Sequence, residues 1–282
     1  MSREEHPETP PYALTVASTD SGGGAGITAD VKTMNRLGVY AGCAVVSVTA
    51  QHTRGVERTH VLPAEEVAAQ VDAVREDFDI GAVKTGMLAT EAGIDATVSG
   101  LSEYDGPVVV DPVMVSTAGD VLLEPTAIDA YDRLFELATL LTPNADEAAE
   151  LTGVHPDSPE ATVEAATALI DRGADAVLLK GGHVDTGEEV RDTLVTGDDS
   201  YTYVTDRVET DRTHGSGCTL SSAIAARLAH GDALETAVER GINFTQAALT
   251  RPADVGRGPG SVNHLVETEF EFDTVERSTI GD

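Results

Sequence analysis

The chain has 282 residues, 41% of them hydrophobic, and sets 49 Asp and Glu against 18 Lys and Arg, a formal charge of −31. Such a balance repels nucleic acid and anionic membranes, so neither is an expected partner. No apolar run reaches the roughly 18 residues a membrane helix needs, and Met1 to Pro11 lacks the apolar core of a secretory signal.

The acids are spread along the whole chain, and their mutual repulsion is screened away only near 1 M salt, where the Debye length is about 3 Å. A salt-adapted cytoplasm, as in a halophile, is therefore expected. Two cysteines, Cys43 and Cys218, in so long a chain argue for a reducing compartment. Fifteen arginines stand beside only three lysines, Lys32, Lys84 and Lys180, so each lysine invites a specific explanation.

In chain order, apolar runs at Tyr12–Ser18, Gly42–Thr49, Ile80–Val83, Val108–Val110, Leu140–Leu141 and Ala176–Leu179 read as strands. Amphipathic stretches at Ala25–Leu37, Ala64–Phe78, Glu91–Glu103, Ala127–Leu137, Ala145–Leu151 and Pro159–Arg172 read as helices between them. Arg191–Thr196 and Tyr201–Val204 suggest a hairpin, followed by helices Gly217–Ala229 and Ala233–Leu249. This alternation predicts one doubly wound α/β/α domain over residues 12–265, with ligands at the carboxyl ends of the strands. Residues 1–11 and 266–282 are acidic tails expected to be flexible.

Chemistry concentrates in five loops. Ser18-Thr19-Asp20-Ser21-Gly22-Gly23-Gly24-Ala25-Gly26 opens the first helix, where glycines let a ligand approach backbone donors. Gly24 to Ala29 satisfies G-x-G-x-x-A. The second strand, however, ends Thr49-Ala50-Gln51 without the acid that holds a ribose, which disfavours a dinucleotide fold. Asp20 is a candidate acceptor for a substrate hydroxyl or amine, or else a helix cap. Asp111, directly after Val108–Val110, lies where ligands bind. Asn144 and Glu147, one turn apart, read either as a capping box or, with Asp111, as oxygens for a hydrated Mg²⁺. Lys180-Gly181-Gly182 places a lysine at a strand end, within reach of phosphate oxygens. Thr213-His214-Gly215-Ser216-Gly217-Cys218-Thr219 enters a helix and forms an anion hole of backbone amides. Cys218 in its first turn is expected to have a lowered pKa and to serve as a base, unless it is only a small packed residue. Mg²⁺ oxygens, a lysine and an anion hole are the parts phosphoryl transfer requires. The Walker pattern is absent.

The ordered series Ser18–Ile27, Ala29–Thr33, Val83–Leu88, Asp111–Met114, Thr142–Ala148, Lys180–His183 and Thr213–Ser221 resembles the hydroxymethylpyrimidine/phosphomethylpyrimidine kinases of thiamine biosynthesis, in the ribokinase-like superfamily. The resemblance spans about Tyr12 to Leu265. It implies a three-layer, mostly parallel sheet and two ATP-dependent steps, on the aminopyrimidine's hydroxymethyl group and then on its monophosphate. It further implies Gln51, Ser18, Asp20, Met87 and Val113 as the substrate pocket. Asp111 and Glu147 correspond to the Mg²⁺ site, and Lys180, Asn144 and Thr213 to the nucleotide site. Cys218 with Gly215, Ser216 and Gly217 corresponds to the catalytic loop. Many relatives carry Gly where Ser18 stands and Pro where Ser21 stands. A pyridoxine or pyridoxal kinase of the same superfamily is the rival reading, and a non-catalytic pyrimidine sensor a more distant one. Partners are small molecules, and a homodimer is compatible with the sequence.

Overall fold

A computed structural model describes residues 8–114, 127–183, 187–197, 199–267 and 275–280. A nine-stranded sheet runs through the molecule. Its parallel part is built from β1 (Tyr12–Ala17), β2 (Tyr40–Val45), β5 (Ile80–Thr85), β6 (Val108–Val110), β7 (Leu140–Leu141) and β8 (Ala176–Leu179). Antiparallel strands β9 (Glu189–Thr196), β10 (Asp199–Asp206) and β11 (Val275–Thr279) extend one edge, giving the order β11-β10-β9-β8-β7-β6-β5-β1-β2.

Helices cover both faces, so the strands are buried on both sides and read as unbroken apolar runs. Alternate residues divide between two cores, as the strand's period of two demands. Leu14, Val16, Val83, Val108, Val110 and Val177 pack against α2 (Ala64–Arg75), α3 (Glu91–Leu101), α4 (Tyr131–Phe135), α5 (Ala145–Thr152) and α6 (Pro159–Ile170). Ala13, Ala82, Val109, Leu140 and Leu178 face α1 (Gly26–Arg36), α7 (Ser216–Ala229) and α8 (Leu234–Thr250). The doubly wound α/β/α architecture read from the sequence is the one observed. Among the described residues no helix is long and apolar enough to cross a membrane.

Two readings are corrected. The run Gly42–Thr49 is not one strand: β2 ends at Val45, and β3 (Ser47–His52) leaves the sheet to pair with β4 (Gly55–Val61) in a separate hairpin. Val46 is the switch point, its N–H bonded to Ala17 O (2.8 Å) and its carbonyl to Leu62 N–H (2.9 Å). The second correction lies in the tail. Val275–Thr279 pairs antiparallel with Asp199–Tyr203 as an edge strand, so this part of 266–282 is not frayed.

Candidate active site

Four of the five loops singled out in the sequence leave the carboxyl ends of β1, β6, β7 and β8, and the fifth, which follows β10, brings the start of α7 against Lys180 and Asp111. The loop after β1 folds around its own carboxylate. Asp20 Oδ1 accepts the Gly22 N–H (2.7 Å), and Oδ2 accepts those of Gly24 (3.0 Å) and Ala25 (2.9 Å) and meets His214 Nε2 (3.0 Å). Ala25, the N-cap of α1, offers no side-chain cap, so Asp20 serves the free amides at the helix start. Burial pushes the Asp20 pKa up, but His214 and the loop amides outweigh it and hold the carboxyl below its usual range. The expectation that Asp20 faces a substrate is therefore revised: its oxygens organise the loop. Ser18 is likewise committed. It is buried, donating to Met87 O (2.9 Å) and accepting from Ser47 Oγ (2.6 Å), and so ties β1 to the turn after β5.

Gln51 sits near the tip of the β3–β4 hairpin, which packs on this loop. Its N–H and carbonyl both meet Ser21 Oγ (2.8 and 2.7 Å), and Thr49 Oγ1 donates to Gln51 Oε1 (3.3 Å). Met87 and Val113 are partly buried in the loops after β5 and β6.

Deeper in the crevice three charged groups converge. Lys180 Nζ lies 3.0 Å from Asp111 Oδ1 and 3.7 Å from Glu147 Oε2, with all three side chains largely buried. Burial alone would lower the Lys180 pKa; Asp111 and then Glu147 outweigh it and keep the ammonium charged. Burial pushes the Glu147 carboxyl above its ordinary value, against the pull of Lys180. Asp111 also accepts from Thr142 Oγ1 and Ser221 Oγ (both 3.3 Å). The capping box is realised: Asn144 Oδ1 accepts the Glu147 N–H and Glu147 Oε2 the Asn144 N–H, both at 2.8 Å. Glu147 thus caps α5 while the same carboxylate faces Lys180.

Above these charges begins α7. Gly215, its N-cap, has φ +83°, and a Cβ there would collide with the Gly24 carbonyl oxygen, so only glycine fits. A Cβ on Gly217 would come within 3.4 Å of Lys180 Nζ and 3.7 Å of Asp111 Oδ2. The amides of Gly217 and Cys218 precede the first intrahelical bond (Thr219 N–H to Gly215 O, 2.9 Å) and are the donors an oxyanion needs. Thr213 holds the turn by accepting the Ser216 N–H (3.0 Å). The expected lowering of the Cys218 pKa is overturned. Burial pushes the thiol up, the Lys84 ammonium pulls it down, Asp30 and Asp111 push it up and the Gly26 N–H draws it down, leaving it raised to about 11.

Among the described residues no group of three His, Cys, Asp or Glu side chains could hold a metal ion. Two carboxylates beside an ammonium nonetheless fit Mg²⁺ bound chiefly through phosphate oxygens and water, the way that ion usually meets a nucleotide. Two features were missed by sequence reasoning. His214, the partner of Asp20, lies 194 residues from it, and Asp30, the partner of Lys84, lies 54 residues away. The scarcity of lysine was the only signal pointing to the second.

A three-layer α/β/α domain with an amide-lined helix start over a buried lysine and two carboxylates defines the class: a ribokinase-like small-molecule kinase. The phosphomethylpyrimidine kinase family description matches residues 20–263, and the chain belongs to this family. It is 45% identical over 257 residues to the hydroxymethylpyrimidine/phosphomethylpyrimidine kinase of Rhizobium meliloti, covering 90% of this chain and 96% of that protein. Identity to the enzyme of the same name from Streptomyces coelicolor is 43% over 265 residues, 94% and 98% of the two chains. The thiamine biosynthesis bifunctional protein ThiED of Geobacter sulfurreducens is 46% identical over 258 residues, or 91% of this chain; the match spans about half (52%) of that longer protein. Among solved structures, Staphylococcus aureus pyridoxal kinase with ADP superimposes with a TM-score of 0.87 at 30% identity, covering 97% of this chain and 100% of the other. Phosphomethylpyrimidine kinase from Clostridium difficile gives 0.74 at 37% identity, covering 84% and 98%.

Proposed function

We propose that the chain transfers the γ-phosphoryl group of ATP to the hydroxymethyl group of 4-amino-5-hydroxymethyl-2-methylpyrimidine and then to the resulting monophosphate, as a cytoplasmic enzyme of thiamine biosynthesis. The observation that carries this reading is the convergence of Lys180, Asp111 and Glu147 beneath the free amides of Gly217 and Cys218, in a chain of this family.

In this reading Gln51 offers its amide as a paired donor and acceptor to the amino group and ring nitrogen, with Met87 and Val113 as pocket walls. Lys180 engages nucleotide phosphate as a point charge, helped by Asn144 and Thr213 at the crevice edge. Asp111 and Glu147 hold Mg²⁺, which supplies neutralisation of phosphate charge when bound. The amides of the Gly215-Ser216-Gly217-Cys218 turn stabilise the transferring phosphoryl, a task that is mostly positioning. Cys218 accepts the hydroxymethyl proton. Ser18 and Asp20 shape the floor through backbone and loop contacts rather than by direct recognition.

The likeness to pyridoxal kinase favours one second reading, phosphorylation of pyridoxal in the same pocket. The deciding experiment is a substrate panel with ATP. Turnover of the hydroxymethylpyrimidine and its monophosphate well above that of pyridoxal upholds the proposal, and the reverse order transfers the chain to the second reading.

A further inference from the structure

Asp192 stands inside β9, where an acid is a poor strand former, and is only 8% exposed. A buried carboxylate costs free energy unless a donor meets it. Here the donor is the Gly181 N–H, 2.8 Å from Asp192 Oδ1. Burial raises the carboxyl, the Gly181 N–H and then Lys180 draw it down, and it remains raised to about 6. The last pair of the β8–β9 ladder is Leu179 with Thr193, so beyond it a side chain supplies the acceptor that the sheet no longer provides. The two strands are close at this point: a Cβ on Gly181 would collide with the Arg191 carbonyl oxygen.

The Gly181 N–H belongs to the peptide plane that carries the Lys180 carbonyl. On the other side of the lysine, the Lys180 N–H donates to Pro143 O (3.0 Å), where Lys180 and Asn144 form a parallel bridge. With both flanking planes held, the two soft backbone dihedrals of Lys180 are set. Its long, flexible stem therefore leaves the chain in one direction, toward Asp111 (3.0 Å) and Glu147 (3.7 Å). We propose that Asp192 is a positioning residue of the nucleotide site: its bond to the Gly181 N–H fixes the direction in which Lys180 presents its ammonium to phosphate. This deepens the proposed function and rests on Lys180 engaging nucleotide phosphate. Asp192 acts through the lysine and not on the nucleotide.

The test uses the full chain and titrates ADP calorimetrically, alongside kcat and KM for ATP and for the hydroxymethylpyrimidine. Asp192→Val keeps a similar volume and suits a strand but removes the acceptor; circular dichroism and the urea midpoint check its fold. ADP then binds about tenfold or more weakly and the KM for ATP rises alike, the scale of one misplaced hydrogen bond to a charged group, while the KM for the pyrimidine changes less than about threefold. Asp192→Asn, which keeps an oxygen for the Gly181 N–H, stays within about threefold of the parent. In a Lys180→Met background, Asp192→Val costs no further ADP affinity, because its effect runs through the lysine. Should Asp192→Val not fold, Asp192→Ala carries the same comparison. A folded variant without the acceptor that binds ADP like the parent overturns the proposal, and so does a loss that adds in full to that of Lys180→Met. Asp192→Asn as weak as Asp192→Val also overturns it, since charge rather than the fixed peptide would then be at work. ADP affinity untouched by Lys180→Met alone removes the lysine's part in the proposed function, and the role of Asp192 with it.

Discussion

Following both phosphorylation steps against pH in wild type, Cys218→Ala and Cys218→Asp tests the base assignment through a number taken from the structure. Burial holds the thiol at about 11, so at pH 7.5 roughly one molecule in 3,000 carries a thiolate. If that thiolate takes the hydroxymethyl proton, first-step kcat/KM rises about tenfold per pH unit from 6.5 to 9.5 with no plateau. The second step receives its phosphoryl on a phosphate monoester whose second pKa is about 6, so its profile is flat above pH 7. Cys218→Ala should abolish the slope and cost about 10²–10⁴-fold where the wild type is fastest. Cys218→Asp puts a carboxylate in place and should give a partly restored first step that levels off once that carboxylate is ionised. A wild-type first step independent of pH, or a slope that survives Cys218→Ala, would refute the assignment and leave the cysteine a packed helix residue.

Gln51→Ala removes a paired donor and acceptor and should cost about 2–3 kcal/mol in kcat/KM for the aminopyrimidine. Pyridoxal should lose much less, and equal losses would make Gln51 structural. Asp20→Ala strips the acceptor from three loop amides and His214 and should lower stability by about 3 kcal/mol in urea titration. A raised substrate KM at unchanged stability would return Asp20 to the pocket. Dialysis from molar KCl to about 0.1 M, where the Debye length grows to about 10 Å, should cost activity and circular dichroism signal; full retention of both refutes salt adaptation. His264, 5% exposed, has its pKa lowered by burial, then by Lys32 and His214, from 6.5 to about 4. A lowered folded pKa means the unfolded chain binds the proton first, so this contribution is complete above pH 6.5 and is lost as pH falls toward 4. The loss is about 3 kcal/mol, visible as a pH slope in the urea midpoint that His264→Leu should remove.

Much of this fold was legible because its signals are local. The runs Val108–Val110 and Ala176–Leu179 are buried on both faces, and the Asn144/Glu147 box is written within four residues. The hairpin was not legible. Gly55–Val61 carries Glu57, Arg58, Thr59 and His60, is mostly exposed, and has no apolar face to announce a strand. The break at Val46 escaped because Val45, Val46, Ser47 and Val48 keep one β-prone pattern while the chain changes partners. At the site, the loops were readable but the destinations of their side chains were not. Asp20 and Ser18 have the chemistry of substrate ligands, and only tertiary structure shows that the loop itself consumes their hydrogen bonds. Cys218 was misjudged for the same reason. The helix start, visible in sequence, lowers a thiol pKa, while the desolvation that outweighs it belongs to the packed molecule.

The three lysines close this line of reasoning. Lys32 Nζ donates to Gly23 O (2.6 Å) in the loop after β1, Lys84 meets Asp30 below the start of α7, and Lys180 meets Asp111 between that helix and α5. They come from α1, β5 and the end of β8, yet all serve the carboxyl edge of one sheet. In a chain of charge −31 the two buried lysines stand directly against its own acids, Lys84 on Asp30 and Lys180 beside Asp111 and Glu147, so pairing and burial, not distance from carboxylates, hold these ammonium groups in place. Arginine, which holds most of the described surface ion pairs, is planar and broad, whereas an ammonium is compact enough to stand beneath Gly86 or beside Gly217. Lysine depletion everywhere else is thus what makes these positions visible, and at Gly86 and Gly217 a compact ammonium is what the adjoining glycine leaves room for.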